Sequence, residues 1–119
     1  MINGSHVILY TKDAEADRAF IRDVLQFPGV DAGEGWLIFK LPPAEIAVHP
    51  TDAETKHELY LMCDDIERVL AGLTAKGVRV SRPVSDEGWG LLASIMLPSG
   101  AELSLYEPRH PVAYDLASL

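Results

Sequence analysis

The chain is poor in the features that would cross-link it, send it to a membrane or bind it to nucleic acid. Its one cysteine, Cys63, allows no internal disulfide, so a reducing cytoplasm is the expected compartment. Basic residues number only ten against eighteen acids, a net charge of −8. A phosphate backbone would be repelled, and nucleic acid is excluded as an expected partner. Long apolar runs are missing: Leu91 to Leu97 is already interrupted by Ser94, whereas roughly 18 residues are needed to cross a bilayer. Membrane insertion is therefore not expected, and Met1 to Ser5 carry neither the basic nor the apolar region of a secretory signal. No Ser/Gly-rich or single-sign stretch acts as a linker, so one domain spanning 1–119 is expected. What is present suits such a domain: 48% of the 119 residues are hydrophobic and 24% charged, the composition of a folded globular chain with one core.

The sequence also repeats itself. Leu41-Pro42-Pro43-Ala44-Glu45-Ile46-Ala47-Val48-His49-Pro50 matches Leu97-Pro98-Ser99-Gly100-Ala101-Glu102-Leu103-Ser104-Leu105-Tyr106, each a turn feeding an alternating strand. Upstream, Glu34-Gly35-Trp36-Leu37-Ile38-Phe39 recurs as Glu87-Gly88-Trp89-Gly90-Leu91-Leu92, and His6-Val7-Ile8-Leu9-Tyr10 as Glu58-Leu59-Tyr60-Leu61-Met62. Three paired segments in one order define two modules, about 5–50 and about 57–108, followed by a tail over 109–119. In the first, Asp13 caps a helix carried by Ala16, Phe20, Val24 and Phe27 until Pro28 stops it. In the second, Asp64 and Glu67 have capping-box spacing, Ile66, Val69, Leu70 and Leu73 form the buried stripe, and Gly77 ends it. Prolines and glycines, Pro83 and Gly90 among them, are expected between elements, and 50–56 as the crossover.

Alternation divides each strand into two faces. Val7 and Leu9, like Leu59, Leu61 and Cys63, should lie under helices, as should Ile46, Val48, Leu103 and Leu105. The opposite face then carries His6, Tyr10, Glu58, Tyr60, Met62, Glu45, Ala47, His49, Glu102, Ser104 and Tyr106, a mixed polar and aromatic lining suited to a small molecule. Trp36 and Trp89 occupy equivalent turns and serve either packing or ligand stacking. Cys63 reads as an inert small hydrophobe, while His57 and His110 read as non-catalytic.

His6 lies seven residues before the helix-opening Asp13; Val24-Leu25-Gln26-Phe27 ends the helix; Asp64-Asp65-Ile66 precedes the next; and a Pro-x-Gly turn leads into Leu105-Tyr106-Glu107-Pro108. In these features the chain resembles the vicinal oxygen chelate superfamily of glyoxalases, bleomycin-resistance proteins and extradiol dioxygenases. The resemblance runs from about His6 to Pro108. It implies an α+β fold of two tandem βαβββ modules, a curved mixed sheet around a cavity, and a homodimer. It also implies a divalent metal held by a first-strand and a last-strand residue of each module. Here those positions are His6 and Glu58, then Ala47 and Ser104. Alanine offers no donor and a neutral serine hydroxyl replaces carboxylate poorly. The cofactor expectation is thus either none or a divalent metal on a rebuilt set of His6, Glu58 and His49, although His49 lies roughly 6 to 7 Å along the strand from Ala47.

The expected function is small-molecule binding by a glyoxalase- or dioxygenase-like enzyme of unspecified substrate, with His6 and Glu58 catalytic. Tyr10, Trp36, His49, Tyr60, Met62, Trp89, Ser104 and Tyr106 would line its site. The alternative is a non-catalytic protein of the bleomycin-resistance kind that sequesters its ligand, and a third reading is an accessory protein that has kept the fold without the chemistry.

Overall fold

The computed structural model describes residues 7, 9, 11–45, 52–54 and 57–111. His6, Tyr10, Ile46, Ala47, Val48 and His49 lie outside them, as does part of the 50–56 crossover. The described elements are helix α1 (Ala14–Asp23), strands β1 (Gly29–Asp31), β2 (Leu37–Phe39) and β3 (Tyr60–Met62), helix α2 (Ile66–Ala75), and strands β4 (Val80–Asp86), β5 (Gly90–Met96) and β6 (Glu102–Pro108). From β3 onward the order is βαβββ, as the second module requires. This is a mixed α+β fold with two sheets and two helices.

The larger sheet has the order β3-β6-β5-β4. β3 pairs parallel to β6, with Tyr60 opposite Ser104 and Met62 opposite Tyr106, while β6–β5 and β5–β4 are antiparallel. The helix α2 crossover makes the parallel pair possible, since two parallel neighbours cannot be joined by a tight turn. β1 and β2 form a separate antiparallel hairpin.

One face of the larger sheet builds the core. Ala93, Ile95, Leu103 and Leu105 pack with Ile66, Leu70 and Leu73 of α2 and Phe20 of α1, and Ile66 and Ile95 are fully buried. The predicted sorting of Leu59, Leu61 and Cys63 to this side is met, because all three pack against that cluster. Val7 and Leu9 depart from it: they remain 47% and 42% exposed. The first helix turns Phe20 toward the core of the larger sheet, and does not bury those two side chains.

The caps show why the helices start where they do. Asp13 accepts from the Ala16 amide as predicted. In α2 the cap is Asp65, one residue later than expected, and it accepts from Arg68 N at 3.1 Å. The next amide, Ile66 N, donates to Glu107 Oε1 at 2.9 Å, so the α2 terminus is fixed by a carboxylate from β6 as well as by its own cap. Gly77, at φ +85, follows the last turn as predicted. Pro83 lies within β4 and not between elements. β4 is the edge of the sheet and its register shifts between Arg82 and Ser85, a place where a missing N–H leaves no partner unsatisfied. Gly90 likewise opens β5.

Candidate functional site

The face of the larger sheet that points away from the helices brings the second-module site residues together. Register places Ser94 opposite Ser104 and Leu92 opposite Tyr106, so the period of two puts these four on one side with Tyr60 and Met62. The two serine hydroxyls share a hydrogen bond at 3.1 Å. At one end Arg82 pairs with Glu102 at 3.2 Å across the sheet.

Aromatic rings occupy the other end. Tyr106 is buried, with Tyr60 at 6.0 Å and Trp89 at 5.4 Å, both edge-on at 67°. Such contacts set ring edges against the negative ring faces. Gly90 makes the arrangement possible, since a Cβ there would lie 2.4 Å from Cε2 of Tyr106. Trp36 does not join this group: it is 65% exposed and its ring lies 4.6 Å from the Arg18 guanidinium of α1. The equivalence of the two tryptophans in sequence therefore does not extend to a shared environment.

Glu58 accepts a 2.6 Å hydrogen bond from the Tyr60 hydroxyl. That bond, then burial, pushes the Tyr60 phenol up to about 12. Because the folded-state value is raised from the ordinary 10, the contribution of this bond to stability is complete below pH 10 and is lost as pH rises through about 12. In an absorbance titration one tyrosine should ionise near pH 12, and Glu58→Ala should return it toward 10. Unchanged titration in that variant would show that the bond does not hold the proton. Cys63 is half-buried, and desolvation pushes its thiol up to about 11, in keeping with the inert role expected of it.

His110 was not predicted to belong here. The Tyr106 hydroxyl and His110 Nε2 are hydrogen-bonded, and Nε2 lies 3.9 Å from a Glu45 carboxylate oxygen. Burial, followed by Glu45, raises the Tyr106 phenol. β6 ends at Pro108, where the periodic pattern of the sequence also ends, and His110 reaches Tyr106 from the bend that follows, so alternation gave no signal for it. Arg109 continues the strand's contacts, donating its amide to the Trp89 carbonyl at 2.9 Å and pairing with Asp86 at 3.3 Å.

Among the described residues, the metal positions implied by the family do not form a donor set. Position 47 is alanine, the Ser104 hydroxyl is paired with Ser94, and Glu58 is engaged by Tyr60. Among the described residues no group of three His, Cys, Asp or Glu could hold a metal; His6 and His49 lie outside them. Two open depressions occur elsewhere. One of about 450 Å³ lies between Val24, Lys76 and Pro98, and one of about 380 Å³ lies between Arg22, Pro28 and Phe39. Neither is walled by a carboxylate, imidazole or hydroxyl among the described residues; their polar side chains are Lys76 and Arg79 in the first and Arg22 and Gln26 in the second.

A βαβββ module with a parallel β3–β6 pair and a polar and aromatic face is the architecture of a glyoxalase-type fold. Residues 5–109 match the Glyoxalase/Bleomycin resistance protein/Dioxygenase superfamily, and the chain belongs to it. Its structure is similar to a lactoylglutathione lyase from Agrobacterium tumefaciens, with TM-score 0.65, 19% identity and coverage of 88% of this chain and 92% of that one. It is also similar to TnmS3, an antibiotic binding protein from Streptomyces sp. CB03234, with TM-score 0.62, 24% identity and coverage of 91% and 99%. A fosfomycin resistance protein, FosX, from Listeria monocytogenes aligns with TM-score 0.58, 16% identity and coverage of 98% and 100%. Comparison with curated proteins gave no match. At these identities the structural likenesses establish the fold alone. No described helix is long and apolar enough to cross a membrane.

Proposed function

We propose that the chain is a small-molecule-binding member of the superfamily that takes an aromatic ligand on the open face of its larger sheet, without a metal. The observation that carries this is the Tyr60–Tyr106–Trp89 aromatic group beside the Ser94–Ser104 pair and Glu58. Ring faces and edges there give stacking surface, and the hydroxyls and carboxylates give orientation. The likeness to an antibiotic binding protein agrees with this reading. The same proposal takes 1–119 as one domain of two modules, acting as a cytoplasmic homodimer, with His6, Tyr10, His49 and Met62 completing the site.

The test is a screen of aromatic small molecules in the presence of EDTA, read by amide chemical shifts. Shifts should concentrate at Tyr60, Trp89, Ser104 and Tyr106, and Trp89→Ala should weaken binding about tenfold. Binding that disappears with EDTA, or shifts that fall on the two depressions, would overturn the reading. A second reading, a metal-free enzyme with His6 and Glu58 as its catalytic groups, is favoured by the contact of Glu58 with the Tyr60 hydroxyl. It requires turnover that both His6→Ala and Glu58→Ala abolish.

A further inference from the structure

We propose that Tyr106 is the polar anchor of this face and that His110 sets the direction of its hydrogen bond, so that the site selects aromatic ligands whose rim carries an O–H or N–H donor. The inference rests on the aromatic-ligand reading of the same face. Its starting point is the other nitrogen of the imidazole: His110 Nδ1 lies 2.8 Å from the Pro111 carbonyl oxygen. A carbonyl only accepts, so Nδ1 carries a proton. In the neutral ring Nε2 is then an acceptor, and the Tyr106 hydroxyl must donate to it. The phenol's one proton is thereby committed, and only oxygen lone pairs remain for a ligand.

Protonating His110 reverses this. Nε2–H becomes a donor, and the Tyr106 oxygen or the Glu45 carboxylate at 3.9 Å receives it. The phenol proton is then released toward the ligand, and the site favours acceptors. Several groups surround the imidazole. Glu45 faces it, Tyr106 contacts it from β6, and Arg109 beside it is paired with Asp86 of β4. Glu58 lies beyond Tyr60, and Glu107 is turned to the α2 terminus. The backbone leading into His110 is held to the entry of β5, since Arg109 N is bonded to the Trp89 carbonyl. Tyr106 itself is buried while His110, bonded to its hydroxyl, is exposed.

Two uncharged probes separate hydrogen-bond direction from charge attraction: 2-naphthol, which donates, and 2-methoxynaphthalene, which only accepts. At pH 8, 2-naphthol should bind about tenfold more tightly, the value of one hydrogen bond made or left unmade. The preference should vanish wherever His110 carries a second ring proton. Both Tyr106→Phe and His110→Ala should remove it at pH 8. In parallel, ¹⁵N correlation spectra of the histidine rings should show His110 with its proton on Nδ1 at pH 8. An Nε2–H ring, or equal binding of both probes at pH 8, overturns this inference and leaves the ligand-binding reading standing. If neither probe shifts the resonances of this face, the underlying reading falls with it.

Discussion

Asp17→Ala is expected to cost about 3 kcal/mol of folding stability, the upper range for a buried charged acceptor with several partners. Asp17 is 5% exposed. Its Oδ1 accepts from Ser99 N at 3.1 Å, and its Oδ2 accepts from the Ser99 hydroxyl at 2.7 Å and from Thr11 Oγ1 at 2.6 Å. The carboxylate thus ties α1 of the first module to the β5–β6 turn of the second, 82 residues away in sequence. Alanine would leave three donors without their acceptor near the core, where water replaces them poorly. Asp17→Asn keeps one acceptor oxygen and should lose about half as much. A urea titration of the three proteins checks this; a midpoint for Asp17→Ala equal to wild type would mean the bridge does not join the modules.

Gly90→Ala should cost about 2 kcal/mol and disrupt the aromatic face together with the fold, because the added methyl has nowhere to go. Its Cβ would meet Tyr106 Cε2 at 2.4 Å and the Glu107 carbonyl oxygen at 2.8 Å. The carbonyl belongs to the β5–β6 ladder, where Gly90 pairs with Pro108, so it cannot retreat without breaking the sheet register. The ring is held from the sides by Trp89, Tyr60 and His110. Near-ultraviolet circular dichroism should therefore change along with the melting temperature, and 2-naphthol binding should fall at least tenfold. A variant that melts like wild type with an unaltered aromatic spectrum would show that Tyr106 is not packed on Gly90.

The local elements of the second module were legible because each rests on a near-neighbour pattern. The buried stripe Ile66, Leu70 and Leu73, the glycine stop at Gly77 and the inward Leu103 and Leu105 are all set by periods of 3.6 or 2. The cap was misplaced by one residue because Asp64 and Asp65 offer the same chemistry. The choice between them is made by a backbone torsion and by Glu107, which arrives from β6, 41 residues on. Pro83 was placed outside a strand because sequence cannot say which strand will be an edge. His110 escapes the sequence reading because it follows the end of β6 at Pro108, where no periodic pattern continues, and its contact with Tyr106 is made from a bend.

By itself, then, the sequence determined the class of fold and the two faces of β3 and β6, since each follows from residue type and spacing. Tertiary structure alone decided which of those residues meet. Sheet register put Ser94 against Ser104, a glycine at the right register let Tyr106 pack edge-on to Trp89, and the bend after β6 brought His110 to the Tyr106 hydroxyl, with Glu45 facing the imidazole. Those contacts join residues up to 65 positions apart. Their energies depend on register, burial and the direction of individual hydrogen bonds, none of which a local pattern encodes.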